Sequence, residues 1–193
     1  FANALASQLG KQFGIQDHGS GGSTLATQME KFRHSPDGRT NSGTEKLRQM
    51  ASASVRAYRH GPLTHAAREK LALDYLNSVP LAAAPGYGEV HGLGDGLHTW
   101  FAADVARSNA LLNQSITQQG ALAEQGLALR QVLALLIAHR RPSFYLLQGR
   151  AELATLTDSY LRLLAQQGII PPTLRDAALD QPLSFRNFVQ APA

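Results

Sequence analysis

The chain contains no cysteine. No disulfide can staple it, and no thiolate can act as nucleophile or metal ligand. It has no run of about 18 apolar residues, so no segment reads as a helix crossing a bilayer. Nothing at its start has the charged-then-apolar pattern of a secretory signal. Aromatic residues are 7% of the chain, with a single Trp. None are interleaved with basic residues in the manner of a nucleic-acid surface, so nucleic acid is not an expected partner. No His-Glu-x-x-His and no Gly-x-Ser-x-Gly occurs, which removes the usual frames of zinc peptidases and serine hydrolases. The seven His are scattered. His91 and His98 are near enough in sequence to share a metal, but Gly92, Gly94 and Gly96 lie between them and are expected to break a helix there. No metal site is therefore expected. No convincing strand pair, repeat or low-complexity tract is legible. Acid is also scarce: 14 Asp and Glu stand against 18 Lys and Arg, for a net charge of +4. Fourteen of those cations are Arg and four are Lys. Arg favours bidentate contact with phosphate and carboxylate, and a solvated basic surface accounts for the same composition.

The length of 193 residues and 44% apolar content suit one domain, or one with two lobes, able to bury a core. The chain starts at Phe1 inside what reads as a helix, and so is expected to be a piece of something longer. Helical spacing is legible over residues 2–12, 24–34, 45–59, 64–77, 129–140 and 150–167. A short helical patch is expected to start at Trp100-Phe101. A last helix should open at Pro171 or Pro172 and end near Leu179. Residues 35–44 read as a turn-rich loop, and 80–98 are rich in Gly, Pro and Ala with no clear period. The expected domain spans 1–181, with 182–193 as a linker or tail. The fold class expected is all-α.

One stretch organises the rest: Gly21-Gly22-Ser23-Thr24-Leu25-Ala26-Thr27-Gln28-Met29-Glu30-Lys31-Phe32. Ser23 or Thr24 can cap a helix that begins near Leu25. On that helix Gln28 and Lys31 are three apart and share a face. Hydroxyls, an amide, an ammonium and a helix N-terminus then converge, an arrangement suited to phosphate. It is not a P-loop, which needs Lys directly before the Ser or Thr.

This stretch resembles the second motif, roughly G-G-S-T-I-x-Q-Q-x-x-K-N, of the family 51 peptidoglycan glycosyltransferases, the glycan-polymerising domains of penicillin-binding proteins. Gly21, Gly22, Ser23, Thr24, Gln28 and Lys31 match; Thr27 and Phe32 depart. Further matches follow in family order. Glu45-Lys46-Leu47-Arg48-Gln49 resembles the R-K-x-x-E motif, with Lys46 in place, Glu45 where Arg is usual and Gln49 where Glu is usual. Leu71, Tyr75, Leu76 and Asn77 fit I-L-E-x-Y-L-N, with Leu73 at the Glu position. Gly92-Leu93 and Trp100-Phe101 align with a Gly-x to Tyr-Phe segment, and Ala102-Ala103 replace its Gly-Lys. The apolar stretch to Pro142, then Ser143 and Tyr145, and the run from Tyr160 to Leu179 fit the closing helices.

The resemblance implies a lysozyme-like helical domain with two lobes around a cleft. It implies that Ser23, Thr24, Gln28, Lys31, Arg39 and Lys46 hold the diphosphate of a lipid-linked disaccharide-pentapeptide, with the growing glycan as the other partner. Gln49 takes the place of a catalytic acid. No organic cofactor is implied; a divalent cation such as Mg is compatible with the diphosphate. The expected location is the periplasmic face of a bacterial inner membrane, at the membrane surface, with the anchor in a segment outside these residues. The family's first motif, E-D-x-x-F-x-x-H, has no counterpart within the chain, and Asp17 is the one acid in the first 20 residues. These 193 residues therefore contain no carboxylate that matches the family's base.

Overall fold

The computed structural model describes residues 25–34, 42–59, 61–114 and 121–188, without the side chains at 28 and 31–34. The helix expected at 2–12 lies outside the described residues. The chain divides into two compact units, Phe1–Leu71 and Ala72–Ala193. As expected, the described fold is all-α apart from one small hairpin, and this is consistent with the lysozyme-like class.

In the first unit, α1 (Leu25–His34) packs on α2 (Gly43–Tyr58). Ser42 starts α2: its Oγ accepts from the Glu45 N–H at 3.2 Å. Ser42 and Glu45 have the spacing of a capping box, and Glu45 also places negative charge in the first turn. A third helix, α3 (His65–Leu76), contains the unit boundary and buries no residue fully.

The second unit holds β1 (Pro80–Ala84), β2 (Gly88–His91), α4 (Gly92–Phe101), α5 (Val105–Asn113) and α6 (Leu122–Ala138). A π-helical turn (Phe144–Gln148), α7 (Arg150–Gln166) and α8 (Pro172–Leu179) complete it. Helix α6 is central and packs against α4, α5, α7 and α8. Its Ala134, Leu135 and Ala138 join Val79, Leu81, Val90, Trp100, Leu146 and Leu153 in one core.

Two features of residues 80–98 differ from the sequence reading. First, a strand pair exists. The antiparallel register is Ala84↔Gly88, Ala83↔Glu89 and Pro80↔His91, with an irregularity before Ala83. Pro85-Gly86 makes the turn, closed by the Tyr87 N–H donating to Ala84 at 3.0 Å. Gly86 takes φ +77° there, as Gly permits. Three consecutive Ala with weak strand preference, and a bulge that interrupts the alternation, conceal this hairpin in the sequence.

Second, the three glycines do not break a helix; α4 starts at Gly92 (φ +78°) and runs through Gly94 and Gly96. A Cβ on Gly96 would lie 2.5 Å from Leu81 Cδ1 and 2.9 Å from Leu135 Cδ1. The missing side chain lets α4 press between the hairpin and α6. Trp100-Phe101 accordingly end this helix instead of starting one, and Ala102 follows with φ 57°.

Residues 182–188, read from sequence within a linker or tail, dock on the core. Leu183, Phe185 and Phe188 pack against it. The Arg186 guanidinium donates to Thr99 O (3.0 Å) and His98 O (2.8 Å), and its backbone N–H donates to Trp100 O (2.7 Å). Arg186 thereby satisfies the Thr99 and Trp100 carbonyls that the last turn of α4 leaves open, and adds a second donor to His98 O, which also accepts from the Ala102 N–H.

Candidate functional site

The residues expected to hold an anion fall on the first unit. Ser23, Thr24 and Arg39 lie outside the described residues. Gln28 and Lys31 lie on α1, three apart as expected, and their side chains are outside the description. Lys46 and Gln49 are described. The Ser42 cap fixes where α2 begins and so places Lys46 in its first turns, half-buried. Gln49, three residues on, is only 1% exposed. It is an interior residue, so an amide there is held by packing as much as by any ligand.

Gln49 belongs to a polar seam between α1 and α2. Among the described side chains, the buried residues of the pair are Thr27 and Glu30 on α1 with Gln49 and Ala53 on α2. Glu30 is fixed from α2: Ser52 Oγ donates to its Oε2 at 2.5 Å, and Arg56 Nε lies 2.8 Å from its Oε1. A helix pair joined by apolar residues would be simpler to stabilise, because each buried polar group must find a partner. Thr27 and Glu30 are three apart on one helix, and Glu30 precedes Ser52 and Arg56, which are four apart on the other. That double spacing was available in the sequence, but nothing there indicated which faces meet.

Beside this seam, α2 carries a basic depression the sequence reading did not single out. Arg48, Arg56 and Arg59, with Ala51, Ser52 and Val55, line a hollow of about 530 Å³. Its spacing of eight and three residues places the three guanidinium stems on neighbouring turns of one side of the helix. Such a strip can attract a polyanion, and Arg56 is also committed to Glu30.

In the second unit, Tyr75 of the Tyr75-Leu76-Asn77 match packs edge-on to His139 with ring centroids 6.0 Å apart. Burial pushes the Tyr75 phenol up from its ordinary value. Trp100 is fully buried and its indole N–H donates to Leu81 O at 3.0 Å. Arg130 is likewise interior: it donates to Ala178 O (2.8 Å), Leu179 O (3.1 Å) and Asp158 Oδ1 (2.6 Å), closing the C-terminus of α8. These groups are structural, since each is consumed by a neighbour within the fold.

A second hollow, of about 590 Å³, lies where the hairpin meets α4 and is lined by Tyr87, Glu89, Asp95, His98 and Thr99 among others. Among the described residues no group of three or more His, Asp or Glu could hold a metal ion. A protein-built metal cage does not fit the residues described. Likewise, no helix of the described residues is long and apolar enough to cross a membrane.

The family model described as Transglycosylase matches residues 2–165. No curated protein and no solved structure matches the chain. The matched span includes the glycine-hydroxyl stretch, the Lys46 and Gln49 helix, the hairpin and α4 through most of α7.

Proposed function

Since the chain belongs to the transglycosylase family, the family 51 glycosyltransferase domains of peptidoglycan synthesis, we propose that it binds a lipid-linked disaccharide through its diphosphate and serves transfer of that sugar to a growing glycan. The observation that carries this reading is the family match across the anion-binding stretch, with Lys46 held in the first turns of α2. The reaction joins an acceptor hydroxyl to the anomeric carbon of the donor, inverts that carbon and releases the lipid diphosphate. The leaving diphosphate needs converging cations and N–H donors. Lys46, with Ser23, Thr24, Gln28, Lys31 and Arg39, supplies them in this reading. A divalent cation would ride on the diphosphate oxygens. The acceptor hydroxyl needs a carboxylate base within hydrogen-bond reach. Gln49, at the family's second acid position, can orient an oxygen but cannot take a proton. The reaction takes place at the outer face of a bacterial inner membrane.

One observation favours a second reading, a binding domain without catalysis: Gln49 is an amide and is buried. A paired measurement on wild type and Gln49→Glu separates the two when it is made on a protein that also supplies the family's carboxylate base; residues 1–193 alone are expected to make no glycan. An enzyme keeps or raises glycan synthesis when the acid is restored, with lipid-diphosphate affinity little changed. A binder makes no glycan in either form and loses affinity, because a second negative charge faces the diphosphate. If neither quantity changes, residue 49 lies outside the site and the third-motif match is wrong.

A further inference from the structure

We propose that the outward face of α2 docks an acidic amphipathic helix of a partner protein. This helix is turned inside out for a surface element. It buries Gln49 and Ala53, while Leu47, Val55 and Tyr58 stand 66%, 70% and 62% exposed. A surface helix ordinarily packs its apolar stripe inward and leaves its polar side to water. At about 100° per residue, Leu47, Ala51, Val55 and Tyr58 fall within roughly 80° of one another and form a stripe about 17 Å long. An exposed apolar row of this kind, rimmed by polar groups, marks an interaction surface.

The rim is basic on one side. Arg48 and Arg59 follow the stripe around the helix, toward the α1 seam. Both are exposed, and neither makes an ion pair or hydrogen bond among the described residues. Arg56 stands behind them, its Nε 2.8 Å from Glu30 Oε1. Ala51 and Ser52 are the short residues among the long ones that line the hollow of about 530 Å³, so a side chain from outside can enter between the guanidinium stems.

Each feature selects the partner. Two open guanidinium groups on one edge match carboxylates, which they can meet bidentately. The hollow accepts a ridge of side chains, and the stripe suits the i, i+3, i+4, i+7 anchors of a helix laid in a groove. A second copy of this face would bring the same cations against them, and like charges across an interface repel. A lipid bilayer is flat on this scale and would leave the floor of the hollow unfilled.

The probe is a fluorescently labelled synthetic peptide of about 18 residues, with Leu at i, i+3, i+4 and i+7 and Glu along one edge. Anisotropy titration with the 193-residue chain should show saturable one-to-one binding. The same peptide with Lys in place of Glu should bind at least about tenfold more weakly. Arg48→Glu, Arg59→Glu and Val55→Asp should each weaken binding of the Glu peptide at least about tenfold. Ser159→Ala, on the exposed side of α7, should leave it unchanged. The altered side chains are exposed, so the variants should fold, which circular dichroism checks; the comparison of the two peptides on wild type needs no variant. No saturable binding, equal affinity for the two peptides, or wild-type affinity in folded Arg48→Glu and Val55→Asp overturns the proposal. Two further outcomes overturn it by identifying another occupant. Light scattering that finds a wild-type dimer and a Val55→Asp monomer assigns the face to a second copy. Co-sedimentation with phosphatidylglycerol vesicles that Arg48→Glu and Val55→Asp abolish, without peptide binding, assigns it to a lipid surface.

Discussion

Two glycines on α4 carry opposite expectations. Gly96 sits against Leu81 and Leu135, so Gly96→Ala inserts a methyl where none fits and should destabilise the chain by about 1–3 kcal/mol. A Cβ on Gly94 would make only an ordinary contact, with Val105 Cγ1 at 3.8 Å, and Gly94→Ala should stabilise by about 0.5–1 kcal/mol, because Ala loses less backbone freedom in a helix. Urea unfolding of both variants checks the pair; equal effects would mean that α4 does not press on the hairpin as described. Gln49 carries an electrostatic expectation. At 1% exposure, Gln49→Glu places a carboxyl in the helix seam, and burial raises its folded-state pKa above the unfolded value of about 4.3. The carboxyl form is tolerated below that value, and stability is lost as pH rises through the folded pKa. The variant should match wild type near pH 4 and fall about 1–3 kcal/mol below it at neutral pH. A constant deficit at every pH would instead point to lost amide contacts.

At the scale of elements, the C-terminal segment is the clearest case of structure exceeding local pattern. Pro182 and Pro192 suggest a linker, yet Arg186 closes α4 and Phe185 packs on Phe101 with ring centroids 5.0 Å apart. Arg186→Ala removes charged hydrogen bonds to two carbonyls and should cost about 1–3 kcal/mol. It should also shift Trp100 emission to the red, because Phe188 then covers the indole less tightly. Unchanged emission and stability would show that the segment contributes nothing to α4. Helix α7 was legible to within a residue, expected at 150–167 and found at Arg150–Gln166, whereas the equally long α6, expected at 129–140, spans Leu122–Ala138. The hairpin and α4 were not legible, because their conformation depends on contacts from elsewhere: Gly96 is helical because Leu81 and Leu135 need its space. The candidate site divides the same way. The helix that carries Gln28 and Lys31 follows from its period, whereas the burial of Gln49 depends on which face of α1 meets α2. Arg56 and Arg59 were visible as cations, but their place beside Glu30 and Arg48 required the helix pair.

For the whole molecule, the two compact units differ in character. The first has a polar seam and a basic flank; the second has the apolar core around α6 and an open hollow lined in part by Glu89 and Asp95. The central claim is that the first unit holds the diphosphate through cations that include Lys46. Its most direct test is equilibrium binding of a polyprenyl-diphosphate-linked disaccharide, presented in detergent micelles, to wild type and Lys46→Ala. The account predicts saturable binding by wild type and an affinity at least about tenfold lower, ~1.4 kcal/mol, for Lys46→Ala. Absence of saturable binding, or an affinity indifferent to the loss of Lys46, would contradict it.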